Sequence, residues 1–589
     1  MRNRAFWRHF GRPIWRPCAA ALALMLALVP APAPAQADAQ LRLMALGADA
    51  ALDPEAALTE IRALLADPGL AADPRAAFDL NRLAAEILET QGKAAEAAAV
   101  YDDLARFAAR HRDRLGHDPV PLWRAAARLY QAAGDLAAAR RAEEAVLADQ
   151  RDGAMPAAVL ADTLARLEAL AQAMGDPAGV QAYAAGRMAA LAPPVPVTGA
   201  RGDGTGFATV EVFYATDRAR SGSDYPAEFY GHGRGPLETG VVEVTVPDSH
   251  RPGAIEAPSV WSLEFAQDPA RHITLHSITP LAGADFFARM QGRMAARDRK
   301  EAFVFIHGYN VAFDAAARRA AQLAYDMRFA GVPILYSWPS RGSTIGYIPD
   351  AAVVQLSARR LSRFLDQVVA QSGAETVHIV AHSMGNRALT EALELMALRR
   401  GQTAADAPVF GQVIFAAPDV DAGLFAEMLP TLRPLARRLT LYASENDWAL
   451  VASRRLHGDA PRAGQGGADL LAAPDLDSVD MSELGEDMLA HGYFADDRSA
   501  LADLVALFWR DLDPARRCGL QPVQAPATAP LWRYVAADCP DEALLAVMGS
   551  LQAEEIGTAQ AAEAELARLV SDQALQAALA PVVLRMMAP

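Results

Sequence analysis

From residue 302 onward, short apolar runs rich in β-branched and aromatic residues alternate with segments long enough to form helices. Parallel strands are usually joined by helical crossovers, so this alternation is typical of βαβ units and predicts a mostly parallel sheet. Upstream runs without an intervening helix predict an antiparallel edge on that sheet. The predicted strands are 209–214, 241–246, 272–278, 302–306, 333–338, 376–380, 412–416 and 438–442. The sequence therefore predicts an α/β domain over residues 196–512.

The chain before the sheet has a different pattern. Residues 38–195 are rich in Ala, Leu, Arg and Glu at helical spacing, without strand-like alternation. Gly92, Gly134 and Gly175 recur about 40 residues apart, which is typical of stacked helix pairs. The segment after Gly92 resembles the second helix of a tetratricopeptide repeat, and later units match less well. We predict a degenerate repeat-like helical domain, which either offers a partner-binding groove or packs as a bundle on the next domain.

Two composition changes mark the remaining boundaries. Prolines and glycines between residues 193 and 206 break the helical periodicity and predict a linker. Residues 513–589 end in an Ala-rich helical pattern, which predicts a C-terminal helical extension. A chain of 589 residues is too long for one compact core, so several domains agree with its length.

Residues 1–37 have the composition of an export signal. Five arginines precede a wholly apolar run at 18–29, and small residues at 35–37 offer a cleavage site. The apolar run is well short of the roughly 20 residues that span a bilayer. We therefore predict cleavage near Ala37 and an exported protein, periplasmic or secreted, with no integral membrane segment after processing.

Charge and cysteine number exclude several classes of protein. The chain has 55 basic and 71 acidic side chains, a formal charge of -16, which argues against nucleic-acid binding. Three cysteines cannot form a disulfide framework or a four-cysteine zinc site, and no phosphate-binding or metalloprotease motif is present. We predict no metal and no cofactor. Export would leave Cys518 and Cys539 either as one disulfide or as two buried thiols.

Residues 376–387 have the pattern of a buried strand, a tight turn and a helix start, with Ser383 at the turn. A serine in this place is the nucleophile elbow, in which a sharp reversal exposes the hydroxyl next to a helix N-terminus. The usual signature is G-x-S-x-G, and Ala381 replaces its first glycine. Small residues are needed here because the helix passes close to the strand, so alanine is tolerable. We predict that Ser383 is a nucleophile.

An apolar strand that ends in His307-Gly308 supplies the first supporting context. In hydrolases built this way, a backbone N–H after that strand and the N–H after the nucleophile stabilise the oxyanion. This predicts the main-chain N–H groups of Tyr309 and Met384 as the donors. His307 precedes the serine and is interpreted as a structural residue of the turn.

The serine needs a base, and the base needs a carboxylate behind it. In this arrangement the chain order is Ser, acid, His, and only His457 and His491 follow Ser383. His491 is favoured because it follows a further short strand pattern in a loop-like stretch. For the acid, Asp447 follows the second strand after the nucleophile and is favoured. Asp419, after the first such strand, is the alternative acid, with Glu445 and Asp480 also open.

Several ordered motifs together resemble the bacterial alpha/beta hydrolase family of unknown function known as DUF900. They lie at residues 213–218, 305–311, 336–342, 381–386, 416–421, 441–444, 461–464 and 491–493. The resemblance covers roughly 207–509 and implies an alpha/beta-hydrolase fold and an esterase- or lipase-like activity through Ser383, Asp447 and His491. Ala490 and Gly492 depart from the family pattern, in which glycine and serine are usual.

Two hypotheses from different classes follow. The first is an exported serine hydrolase that cleaves a small-molecule or lipid-like carboxylic ester through an acyl-enzyme. The second is a scaffold protein that binds a protein partner through its helical repeats, with a vestigial or acyl-transfer hydrolase domain. The triad residues fix a mechanism class and leave open peptide cleavage and acyl transfer.

Overall fold

The structure is a computed structural model, and it describes most of the chain. The described residues are 46, 50, 53–66, 73–115, 117–152, 157–191, 206–256, 268–296, 299–341, 347–401, 406–484, 498–523, 529–536, 539, 541–554 and 556–587. The predicted export signal, most of the predicted linker and His491 lie outside them. Within the described ranges, no helix combines the length and hydropathy that a membrane crossing requires.

The predicted helical region is confirmed wherever the structure describes it. Its helices are Pro54–Leu65 (α1), Pro74–Thr90 (α2), Ala94–Arg110 (α3), Arg112–Leu115 (α4), Val120–Ala132 (α5), Leu136–Asp152 (α6), Ala157–Ala173 (α7) and Pro177–Leu191 (α8). Gly92, Gly134 and Gly175 follow α2, α5 and α7 with positive φ angles, which L side chains rarely adopt. The glycine turns that the sequence singled out therefore separate antiparallel helix neighbours.

After the helical region, the described strands form one 11-stranded sheet. Its strands are Phe207–Arg220 (β1), Tyr230–Pro247 (β2), Thr274–Leu281 (β3), Glu301–Ile306 (β4), Val332–Ser337 (β5), Thr376–His382 (β6), Phe410–Ala416 (β7), Ala436–Ala443 (β8), Leu476–Asp480 (β9), Leu520–Val523 (β10) and Leu531–Tyr534 (β11). The strand order is β10-β11-β9-β8-β7-β6-β4-β5-β1-β2-β3. Pairing is parallel from β11 to β1 and antiparallel at both edges. The predicted α/β fold with an antiparallel edge is confirmed.

Helices cover both faces of this sheet. They are Gly283–Ala295 (α9), Phe313–Asp326 (α10), Tyr347–Gln371 (α11), Gly385–Arg400 (α12), Ala422–Leu432 (α13), Trp448–Leu456 (α14), Arg498–Arg510 (α15), Asp541–Ala553 (α16), Ala559–Leu569 (α17) and Gln573–Met587 (α18). Strand β4 shows the two-residue period of the core. Phe303 and Phe305 pack in the cluster with α10 and α15, whereas Val304 and Ile306 pack in the cluster with α9, α11 and α12.

The prediction of a helical extension after residue 512 is wrong for its first part. Strands β10 and β11 lie there, and β11 pairs with β9 in parallel. A disulfide joins Cys518 to Cys539, with Cα atoms 5.6 Å apart. Beside it the buried Arg517 makes two hydrogen bonds of 2.8 Å to Asp503, so the extension is fixed to α15 and the sheet.

The helical region contacts the sheet domain through a buried ion pair. Arg124 of α5 pairs with Glu228, which lies in the short turn between β1 and β2. The same guanidinium donates to Asp162 and Thr163 of α7. Only 9% of the Arg124 side chain is exposed. The helical region therefore packs on the next domain, which was one of the two interpretations of its sequence.

A buried histidine lies between two carboxylates beside β2. His250 contacts Glu256 through Nδ1 at 2.8 Å and Asp326 through Nε2 at 2.6 Å. Burial alone would lower the pKa of His250, but hydrogen bonds to Asp326 and Glu256 outweigh it and raise this pKa to about 9. His250 is therefore a charged imidazolium at neutral pH.

This ion cluster predicts a pH dependence of folding stability. The folded pKa of His250 lies above its unfolded value, so its contribution is complete below about pH 6.5 and is lost as pH rises toward 9. Between these pH values, we expect wild type to lose roughly 2 kcal/mol more unfolding free energy than His250→Gln. Urea unfolding of both proteins at pH 6.5 and 9 measures this difference. Equal losses in the two proteins would contradict the prediction.

Candidate active site

The predicted site residues follow neighbouring parallel strands. Tyr309 follows β4, Ser383 follows β6, Asp419 follows β7 and Asp447 follows β8. These strands are adjacent in the order β8-β7-β6-β4. Because the carboxyl ends of parallel strands share one edge, their loops meet there, where open α/β sheets bind ligands.

Ser383 has the backbone conformation of a nucleophile elbow. Its φ angle is +52°, a left-handed value that non-glycine residues seldom adopt. The turn is held by a hydrogen bond from the Ser383 N–H to the Ala416 carbonyl at 3.0 Å. The buried Asn386 amide donates to the carbonyls of Ala381, Ser383 and Ala416 at 3.1–3.2 Å. The surrounding structure therefore fixes this strained residue between strand and helix.

Two glycines allow the elbow to touch the β4 loop, which we define as residues 307–312. A β-carbon on Gly385 would lie 2.5 Å from the His307 carbonyl oxygen. A β-carbon on Gly308 would lie 2.9 Å from the Ser383 β-carbon. Contacts this short do not occur in real structures, so no larger residue fits at either position without a shift. The glycines bring the β4 loop against the nucleophile.

His307 belongs to the framework of the β4 loop. Its Nδ1 donates to the Gly308 carbonyl at 2.7 Å, and its ring stacks on Trp338 with centroids 5.3 Å apart. Burial, together with the charge of Arg218, lowers the pKa of His307 to about 3. The imidazole is therefore neutral at physiological pH. These contacts agree with the interpretation of His307 as a structural residue of the turn.

The two predicted oxyanion donors belong to the two segments that touch: Tyr309 lies in the β4 loop, and Met384 directly follows Ser383. Met384 is fully buried at the N-terminus of α12. The Tyr309 ring packs edge-on against Tyr347, with centroids 5.4 Å apart. Burial and the carboxylate of Glu86 in α2 raise the pKa of the Tyr309 hydroxyl well above its usual value. The helical region therefore reaches the neighbourhood of the β4 loop, and the donor roles of Tyr309 and Met384 stay a prediction.

Asp419 is the centre of a buried ionic network. Its Oδ1 accepts from Ser453 at 2.5 Å and from Arg462 at 2.9 Å, and its Oδ2 accepts from Tyr347 at 2.6 Å and from Arg387 at 3.0 Å. Burial alone would raise the pKa of Asp419, but the two arginines outweigh it and hold this pKa well below its usual range. Both carboxylate oxygens are thus engaged by cationic or hydroxyl donors.

Sequence reasoning missed this network, although Arg387 ends the strand-turn-helix pattern at 376–387 and Arg462 lies in the motif segment 461–464. At a helix start, Arg387 could either contact an acidic group of a substrate or face solvent. In the structure its guanidinium donates to Asp419 and Tyr347 and is largely buried. Arg387 therefore supports the loop after β7.

Asp447 is the N-cap residue of helix α14. Its carboxylate accepts a hydrogen bond from the Leu450 N–H at 3.0 Å, as an N-cap does, and the residue is 2% exposed. His457 ends the same helix, where its Nδ1 donates to the Ser453 carbonyl at 2.7 Å. The choice of His491 as the base stays a prediction, because this residue lies outside the described part of the chain.

No group of three or more His, Cys, Asp or Glu side chains among the described residues could hold a metal ion. Glu445 and Asp480, the remaining acid candidates, lie at the ends of β8 and β9. Asp480 accepts from the Ser482 N–H at 3.1 Å and from the Gly467 N–H at 3.3 Å. Its carboxylate therefore joins the loop before β9 to the residues that follow β9.

Comparison with protein families gives one match. Residues 284–507 match the model of a family described as alpha/beta hydrolase of unknown function, DUF900. The resemblance inferred from the motifs is confirmed for these residues. No curated protein and no solved structure matches the chain. The match includes Ser383, Asp447 and His491, and it assigns this domain a hydrolase fold.

The close contact at Gly385 predicts opposite outcomes for one substitution at two helical glycines. Helix propensity alone favours alanine at both Gly385 and Gly292. Gly292 has open space around it, so Gly292→Ala should stabilise the protein by roughly 0.5–1 kcal/mol. Gly385→Ala should destabilise it by about 1–3 kcal/mol, because its β-carbon would meet backbone atoms of the β4 loop. Denaturant unfolding measures both, and stabilisation by Gly385→Ala would disprove the contact.

Proposed function

Given this hydrolase match, we propose that the protein is a serine hydrolase that cleaves carboxylic esters. The observation that carries the proposal is the left-handed Ser383 at the turn between β6 and α12. A strained serine at this place presents its hydroxyl above the sheet edge, where nucleophiles of α/β hydrolases act. The β4 loop, which contacts this serine turn, carries Tyr309, one of the two proposed oxyanion donors.

In the proposed reaction the Ser383 oxygen attacks the ester carbonyl while the imidazole of His491 takes the hydroxyl proton. Asp447 orients the imidazole and stabilises its charged form. The N–H groups of Tyr309 and Met384 donate to the oxygen that becomes negative in the tetrahedral intermediate. The alcohol leaves with the proton from His491. In the second half of the reaction, His491 takes a proton from water as the water attacks the acyl-enzyme, and then returns it to the Ser383 oxygen as the acid leaves.

The contacts of the two candidate acids support Asp447. Two arginines and two hydroxyls occupy both oxygens of Asp419, and a histidine would have to displace one of them. Asp447 instead follows β8, two strands beyond the nucleophile along the chain. Its Oδ1 accepts the N-cap hydrogen bond from the Leu450 N–H, which holds the carboxylate at the start of α14. We propose Asp447 as the orienting acid and Asp419 as a structural residue.

We also propose that the protein is exported to an oxidising compartment. Two independent features support this: the arginine-rich and apolar composition of residues 1–37, and the disulfide between Cys518 and Cys539. The substrate class proposed is a small-molecule or lipid-like ester.

The triad assignment predicts how four proteins react with a fluorophosphonate probe and with nitrophenyl acetate. Wild type should be labelled, and Ser383→Ala should not. Asp447→Asn should hydrolyse the ester about 10³–10⁴-fold more slowly, because the imidazole loses its orienting charge. Asp419→Asn should chiefly lower the unfolding free energy, by about 3 kcal/mol, because two buried arginines lose their anion.

Circular dichroism and denaturant unfolding of the same four proteins provide the control. A folded wild type that is neither labelled nor active would refute the proposed function. An inactive but fully stable Asp419→Asn beside an active Asp447→Asn would reverse the assignment of the acid.

Export predicts a defined mature N-terminus. Expression with a functional secretion pathway should yield a protein that begins at Asp38, because Ala37 ends the small-residue cleavage site. Mass spectrometry of the intact protein from the periplasm or medium measures this. A product that keeps residues 1–37 and stays in the cytoplasm would contradict it.

A further inference from the structure

We propose that Arg218 is a positioning residue, which holds the β4 loop in the conformation that aims its N–H groups at the substrate. The proposal rests on the proposed function and concerns a residue that the triad does not include. Arg218 lies on β1, on the side of the β4 loop opposite the Asp419 network, and is 1% exposed. Its role is argued from its hydrogen bonds.

The Arg218 guanidinium joins two loops and the start of one strand. Its Nη2 donates to the Val311 carbonyl at 2.6 Å in the β4 loop and lies 3.3 Å from the His307 Nε2. Its Nε donates to the Ser337 hydroxyl at 2.9 Å, at the end of β5. Its Nη1 donates to the Ser340 carbonyl at 3.0 Å and to the Gly231 carbonyl at 3.3 Å. One planar cation therefore fixes the loops after β4 and β5 against the start of β2.

Two of these contacts bracket Tyr309, the proposed oxyanion donor. On one side, His307 is held by Arg218 and by the Ser337 hydroxyl at 3.1 Å. On the other side, Val311 is held through its carbonyl. Asn310 lies between the two anchors with a φ angle of +59°, a conformation that costs free energy and needs support. Without both anchors, the strained segment would relax and carry the Tyr309 N–H away.

Among the described residues, the hydrogen-bond partners of this cation are all neutral. They are one hydroxyl, one imidazole and three carbonyls. Burial lowers the pKa of Arg218 to about 10, so it remains charged at neutral pH, with Asp350 and Asp217 nearby. A buried charge without a directly bonded carboxylate is costly to fold. Burial, together with this positive charge, lowers the pKa of His307 and keeps it neutral, which preserves the imidazole as an acceptor at Nε2 and a donor at Nδ1.

A purely structural arginine is available as a matched control. Arg517 is equally buried, makes two hydrogen bonds to Asp503, and lies beside β10 at the other end of the sheet. Arg218→Lys and Arg517→Lys both keep the charge and lose the planar fork. Both variants should unfold at lower urea concentration than wild type.

Only Arg218→Lys should lose catalysis. With nitrophenyl acetate, we expect its kcat to fall about 10- to 100-fold with KM within about twofold of wild type. The Tyr309 N–H is displaced and not removed, so the loss is smaller than the roughly 10²–10³-fold cost of removing an oxyanion donor. Fluorophosphonate labelling, which also forms an oxyanion, should slow by a similar factor. Arg517→Lys should keep the wild-type kcat. Ser337→Ala removes the hydroxyl shared by Arg218 and His307 and should lower kcat about 3- to 10-fold, even if Arg218→Lys fails to fold.

The outcomes separate this inference from the proposed function. Wild type that is folded but not labelled refutes the proposed function itself. Labelled wild type beside a folded Arg218→Lys with wild-type kcat overturns the role of Arg218, and so does a wild-type kcat in Ser337→Ala. Equal losses of kcat in Arg218→Lys and Arg517→Lys would assign Arg218 a general structural role.

Discussion

The candidate site depends on a direct contact between two backbones, the β4 loop and the turn at Ser383. Parallel pairing of Ile306 with Ala381 brings the ends of β4 and β6 together, and Gly308 and Gly385 let the loops touch. The left-handed Ser383 is stable only because this contact and the Asn386 amide hold it from several sides. Sheet register, glycine position and nucleophile geometry are therefore a single constraint, and none can change alone.

Buried cations support this contact from two directions. Arg218 binds the loops after β4 and β5, whereas Arg387 and Arg462 bind the loop after β7 through Asp419. Fully satisfied polar networks of this kind give a protein interior fewer alternative packings than apolar contacts do. Rigid loops suit a site whose proposed donors are main-chain N–H groups, because backbone dipoles act only where the backbone is fixed.

The predictable parts of the fold are those with strong local signals. Strands β4 to β8 are buried on both faces, so their continuous apolar runs were evident, and the turn at Ser383 has a sequence signature. Strand β9 lies where a further short strand pattern was expected before residue 491. Strands β10 and β11 were missed because they are four residues long, carry polar residues and show no clear alternation. The role of Asp419 could not be read from the chain, because its partners Tyr347 and Arg462 come from distant segments.

The late strands also affect the order in which the molecule can form. Strand β9 gains a neighbour on its outer side only from β11, at residues Leu531–Tyr534. A chain still in synthesis at residue 512 already contains Ser383 and Asp447, yet the main-chain groups on the outer side of β9 would lack β11. Such an open strand can pair with other chains and promotes aggregation. Completion of the sheet therefore requires the same C-terminal segment that carries Cys518 and Cys539, so one short stretch of chain both covers β9 and forms the disulfide.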